Sequence, residues 1–197
     1  MTVDAGALSR YAPGFAILSA TSWLIAVIAI SLFFALGEPW GTINDVATLI
    51  AWLAAIPLVV LVYQAQRSHG WQALGVAVTG LASIAVASAL TVLLLARLMT
   101  FEQQGTPTAV AGAVFGVWLL LAALLWLGAS PLPNLLLALM AVAGLGTVAG
   151  VVGFLGFGSS HWLTYVGGAL GGLAYPASMY WLAVLLLRAP DLLARNP

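Results

Sequence analysis

Ionisable side chains are so scarce in this chain that each can be weighed singly. There are five acids, five arginines, no lysine and two histidines among 197 residues. Two of the acids, Glu38 and Asp45, fall in one polar stretch, GEPWGTINDVATL at residues 37–49, between long apolar runs. With Glu102 in TFEQQGTPT and Arg97 in LLLARLMT they make a candidate polar cluster. Arg97 is the one charge embedded in an apolar run, about a turn from its end. Two readings stand open for it. It can snorkel to the headgroups along its aliphatic stem. Or it can pair with Glu38, Asp45 or Glu102, tying the second and third helices together or holding a polar ligand. A pair predicts that Arg97→Gln lowers thermal stability.

Other chemistries find little support. The chain has no cysteine, which removes disulfides, thiolate zinc, cysteine-held iron–sulfur clusters and a cysteine nucleophile. His69 and His161 are expected on opposite faces of a membrane. They cannot jointly ligate one haem or metal ion, and each reads as an interfacial residue. Ser159 and Ser160 stand beside His161 in GFGSSHW. The Gly-x-Ser-Gly motif of the rhomboid proteases, which this chain resembles in span count only, is missing there. The paired-glutamate motif of the intramembrane CAAX proteases, a phosphate-cradling loop and HExxH are missing too. The expectation is a non-enzymatic protein without a cofactor. One further candidate is a kinked-helix pocket at Pro57, Tyr175, Pro176 and Tyr180. Each proline frees a carbonyl about one turn earlier, and AYPASMY supplies Ser178 and two phenols beside one kink. The alternative is a packed kink whose carbonyls find neighbouring helices.

The elements that must position these residues follow from composition. The chain is 63% hydrophobic and 5% charged, with mean hydropathy +1.14. Soluble domains carry roughly 25% charged residues, so the solvent of this chain is the lipid bilayer. A span needs about 20 apolar residues, so this length allows at most about eight and more comfortably six. The runs predict an all-α six-helix bundle over 14–36, 46–64, 71–99, 109–128, 134–157 and 168–187. The first run is too long for a secretory h-region and is expected to be a true span. With six spans, Arg10, Arg67, Arg188 and Arg195 share one side and only Arg97 lies on the other. Four against one predicts cytoplasmic termini in a cell (inner) membrane. The outer connections read as about nine to ten residues each and the inner ones as shorter, which makes three hairpins. No basic patch exists for nucleic acid. Tyr11, Tyr63, Trp71 and Trp126 are expected in the inner aromatic belt, and Trp40, Phe101, Trp162 and Tyr165 in the outer one.

Small residues let membrane helices approach closely. Gly112 with Gly116, Gly146 with Gly150, and Gly168 with Gly172 each make a GxxxG spacing. They serve packing within one chain, or an interface with another membrane protein or a second copy. The segment 33–61, GEPWGTIND followed by an apolar span, resembles uncharacterised bacterial multi-span membrane proteins, a resemblance that implies no activity. The Lys-free, Ala/Leu/Gly/Val-rich composition also goes with a GC-rich bacterial genome. Gly37 is expected to end the first helix. Thr42 or Asn44 is expected to cap the second, with Asp45 in its first turn. The functional expectation is an accessory or scaffold subunit. The alternative is a small-solute or lipid transporter with an outer polar site near Glu38, Asp45 and Arg97. A pigment- or haem-binding subunit lacks a mid-span histidine.

Overall fold

Within lipid, an apolar run satisfies its backbone only by coiling into a helix. In the computed structural model, which describes residues 5–127, 131–190 and 192–193, six runs do so. They are α1 (Ala5–Leu36), α2 (Trp40–Ala65), α3 (Trp71–Leu95), α4 (Phe101–Trp126), α5 (Asn134–Phe157) and α6 (Trp162–Arg188). A single 3-10 turn, Arg67–His69, sits between α2 and α3. All six helices are long and apolar enough to cross a membrane, and no strand occurs among the described residues. The protein is an all-α multi-pass membrane bundle. Each helix packs on its neighbour in sequence and α6 returns to α1, so the principal contacts close a ring. Gly128, residues 129–130 and Arg195, which carry the expected end of the fourth span and part of the arginine count, lie outside the described residues.

The helices that follow the outer turns, α2, α4 and α6, start earlier than hydropathy predicts, and the long outer loops vanish. The connections at that end are residues 37–39, 96–100 and 158–161. The cause is capping. Hydropathy marks where a helix enters hydrocarbon, whereas hydrogen bonds mark where it begins. Thr100 and Gln103 form a reciprocal capping box that starts α4 inside TFEQQGTPT. The His161 side chain accepts from the Leu163 N–H at 3.3 Å and starts α6. At α2 the expected caps are displaced. The helix begins at Trp40, leaving Asp45 beyond its first turn. Thr42 and Asn44 cap nothing. Glu38 does, accepting from the Thr42 N–H at 3.3 Å and its hydroxyl at 3.1 Å. Gly41 makes room for that carboxylate, since a Cβ there would lie 2.7 Å from Glu38 Oε1. Gly37 ends α1 as expected, at φ +76° with its N–H on the Phe33 carbonyl.

The third helix ends at Leu95, short of the expected Met99, and Arg97 lies outside it. Its φ is +57°. The Arg97 N–H reaches the Leu94 carbonyl and the Leu98 N–H reaches Leu93, the paired bonds of a Schellman motif. Arginine thus occupies the left-handed position that glycine fills best, and its side chain is exposed. Arg97→Gly is expected to raise stability by about 1 kcal/mol, because a Cβ penalises this conformation. A higher melting temperature in detergent checks it; an ion pair of Arg97 would give a lower one.

Glycines set the tightest contacts. A Cβ on Gly116 would meet the Gly144 carbonyl at 2.8 Å, joining α4 to α5. A Cβ on Gly146 would meet the Gly171 nitrogen at 2.6 Å, and one on Gly150 the Gly168 nitrogen at 2.8 Å, joining α5 to α6. Gly116, Gly146 and Gly150 are therefore taken up by partners within the chain. Gly168 has nothing within 4 Å of a Cβ and is exposed; Gly172 meets only Val27, at 3.9 Å.

Candidate functional site

Small, weakly polar and aromatic residues recur at helical spacing on several spans: Ser19 and Trp23 on α1, Asn44, Thr48 and Trp52 on α2, Thr108, Gly112 and Phe115 on α4. Steps of three, four and seven keep each set on one face. Those faces turn into the ring. At mid-depth they build an aromatic floor. Trp23 meets Trp52 edge-on at 5.6 Å and Tyr175 at 5.5 Å. Phe115 lies 5.0 Å from Trp52, 5.6 Å from Tyr175 and 5.0 Å from Trp118. Four helices thus meet through rings in the edge-on and tilted geometries that aromatic quadrupoles favour.

One polar knot fixes the floor. The buried Ser19 hydroxyl donates to the Ala51 carbonyl at 3.0 Å, which leaves the Tyr175 hydroxyl to donate to Ser19 Oγ at 2.6 Å. This ties α1, α2 and α6 together. Farther toward the α2–α3 end, buried Gln66 donates to the Ala122 carbonyl at 2.7 Å and ties α2 to α4. Leu58, Val59, Leu119, Met140 and Leu186 pack that half of the lumen.

On the other side of the floor lies a cavity of about 260 Å³, lined by α1, α2, α4 and α5. Because α1 and α2 face α4 and α5 across the ring, the cavity is in the lumen. Trp23, Trp52, Thr108 and Gly112 share its wall with Asn44 and Thr48, at the end of the bundle that carries the α1–α2 turn. Three of these residues hold sealed polar atoms without a protein partner: Trp23 Nε1, Trp52 Nε1 and Thr108 Oγ1. An unpaired buried donor costs about 1–3 kcal/mol. A Cβ on Gly112 would meet nothing within 4 Å, so the glycine leaves open space on the cavity wall. The wall carries no charged side chain. It suits a small, neutral, largely apolar molecule.

The expected charged cluster does not assemble around Arg97. Glu38 holds the start of α2, Asp45 accepts from the Asn44 amide at 3.0 Å, and Glu102 sits in the first turn of α4. Among the described residues no ion pair joins Arg97 to any of them. Of the four, none lines the cavity, although Asp45 is next to Asn44, which does. The proline pocket divides as well. Pro176 and Tyr175 are buried, the latter in the floor. Tyr180 bonds Thr21 of α1 at 2.8 Å, and Pro57 is half-buried on α2. His161 stacks on Phe157 at 4.6 Å, and no group of three metal-ligating side chains occurs among the described residues. Trp126, expected in the inner belt, is buried, while Trp71, Trp162 and Tyr165 are exposed. Sequence reasoning passed over Ser19, Trp23, Trp52, Thr108 and Phe115. The available signal was weakly polar residues at steps of four within apolar spans. No protein-family model, curated protein or solved structure matches this chain.

Proposed function

We propose that this protein binds a small, uncharged, largely apolar molecule in the lumen of its helix ring, as a non-catalytic receptor or carrier subunit of the bacterial inner membrane. The termini lie in the cytoplasm by arginine placement, so the cavity faces the outer half of the bilayer. The observation that carries this reading is the lumen cavity, uncharged and almost wholly apolar, with Trp23, Trp52 and Thr108 in its lining. The aromatic floor closes one end, so the pocket is one-ended rather than a pore. The accessory-subunit reading rests on the glycine and valine faces that the bundle leaves outside.

The naphthoquinone menadione is a suitable first probe. It is neutral, presents two carbonyl acceptors and quenches tryptophan fluorescence. Saturable quenching is expected, with a melting temperature raised by about 5–10 °C at hundredfold excess over Kd. Gly112→Leu fills the cavity from open space and should abolish both effects while the protein stays folded. Unsaturable quenching alike in both proteins, with a stoichiometric protein partner co-purifying, would assign the chain to the accessory class.

A further inference from the structure

The lumen cavity has a neighbour on the lipid side of the same two helices. An apolar groove of about 470 Å³ runs between α4 and α5, lined by Val110, Val114 and Val117 on one and Val152, Leu155 and Gly156 on the other. Val151 belongs to both walls: it lines the groove from outside and the cavity from inside. The backbone explains why the two spaces meet there. Nearer the floor, α4 and α5 touch through Gly116 and Gly144, close enough that a Cβ on Gly144 would also stand 2.8 Å from the Leu120 nitrogen. Toward the α3–α4 turn the crowding ends. Added Cβ atoms at Gly112, Gly105 and Gly156 would meet nothing within 4 Å. The helices therefore cross tightly at one point and leave a cleft beyond it, with one valine side chain between lipid and lumen. The α1–α2 groove lined by Ile43 and Val46 shares no residue with the cavity.

We propose that the α4–α5 cleft is a lateral entry by which the ligand passes from the hydrocarbon of the bilayer into the lumen, with Val151 as its gate. This rests on the lumen being a ligand site, and it restricts the ligand to molecules that dissolve in lipid. The groove is lined by apolar side chains and glycine, so it recognises a membrane-dissolved molecule and gives a charged solute no foothold. A valine rotamer change is a fast, low-barrier motion, which fits a gate that opens without separating the Gly116–Gly144 crossing.

The absence of native cysteine allows a direct test in vesicles. Gly112→Cys places one thiol on the lumen wall. A neutral, lipid-soluble maleimide such as N-cyclohexylmaleimide is expected to label it, and a sulfonated maleimide in the water phase only slowly. Adding Val151→Trp should slow the lipid-soluble reagent by about tenfold or more and leave the sulfonated one unchanged. Val46→Trp, in the α1–α2 groove, should change neither. Equal labelling with and without Val151→Trp overturns the gate. Faster labelling by the sulfonated reagent overturns the lipid route in favour of the headgroup-side mouth. Labelling does not depend on menadione binding, so loss of the site reading and loss of the gate are told apart. With menadione, Val151→Trp should slow association and dissociation alike, whereas Gly112→Leu removes binding.

Discussion

Gly167→Leu is expected to destabilise the protein by about 3 kcal/mol, lowering its melting temperature by about 6–12 °C, while Gly168→Leu leaves it within about 0.5 kcal/mol. A Cβ on Gly167 would run into the Gly150 nitrogen, and would lie 2.7 Å from Gly150 Cα and 2.8 Å from the Ala149 carbonyl carbon. All three are backbone atoms, which cannot rotate aside, so α5 and α6 must separate. That separation spreads along the seam, because Gly146 against Gly171 and Gly153 against Thr164 are equally close. In lipid no hydrophobic drive restores the contact, and the dispersion energy lost is most of what holds the pair. Gly168 sits one residue on and faces outward with nothing within 4 Å. Both substitutions remove a mid-helix glycine, so the gain in helix propensity cancels in the comparison and the difference reads packing alone. Parallel thermal melts in one detergent decide it; equal losses at the two positions would contradict the seam.

Trp118→Ala is expected to cost about 3–5 kcal/mol. Trp118 is 2% exposed and its indole N–H has no partner, so the loss is one of volume rather than of a hydrogen bond. Its ring lies against Gly80 of α3, where a Cβ would stand 2.8 Å from Cδ1 and Cγ. Gly80→Leu alone should therefore destabilise by about 1–3 kcal/mol. Combined, the two changes exchange knob and hole, and the double variant should recover at least about 1 kcal/mol relative to the sum of the singles. A four-protein cycle by thermal or denaturant unfolding measures this coupling. Strict additivity would mean that Trp118 and Gly80 do not share one contact.

Six spans were legible in the chain because lipid imposes a length and forbids unpaired backbone, and both constraints act on local sequence. Gly37 was legible as a helix end for the same local reason: a left-handed residue is needed and glycine supplies it. Arg97 misled because hydropathy sees a charge inside an apolar run, whereas a Schellman turn had already ended the helix two residues earlier. Glu38 misled in the opposite direction. It reads as free for a ligand while Thr42 or Asn44 is expected to cap, yet its carboxylate folds back onto Thr42 in the space that Gly41 leaves.

The inward face of each helix was the part that only tertiary structure decided. In water an amphipathic stripe announces the core; in lipid the outer face is as apolar as the inner one, and only short sets such as Asn44, Thr48 and Trp52 mark the inward side. Leu173, 64% exposed, and Leu182, 2% exposed, occupy the same helix with the same chemistry. What chose between them was shape: glycine seams that admit a backbone, rings that fit edge to face, and hydroxyls that need a partner. Sequence alone determined that this chain crosses a membrane six times, since that follows from composition and length. The closed ring, its aromatic floor, and the cavity at Trp23, Trp52 and Gly112 depend on residues far apart in the chain meeting at distances set by packing, which no local run encodes.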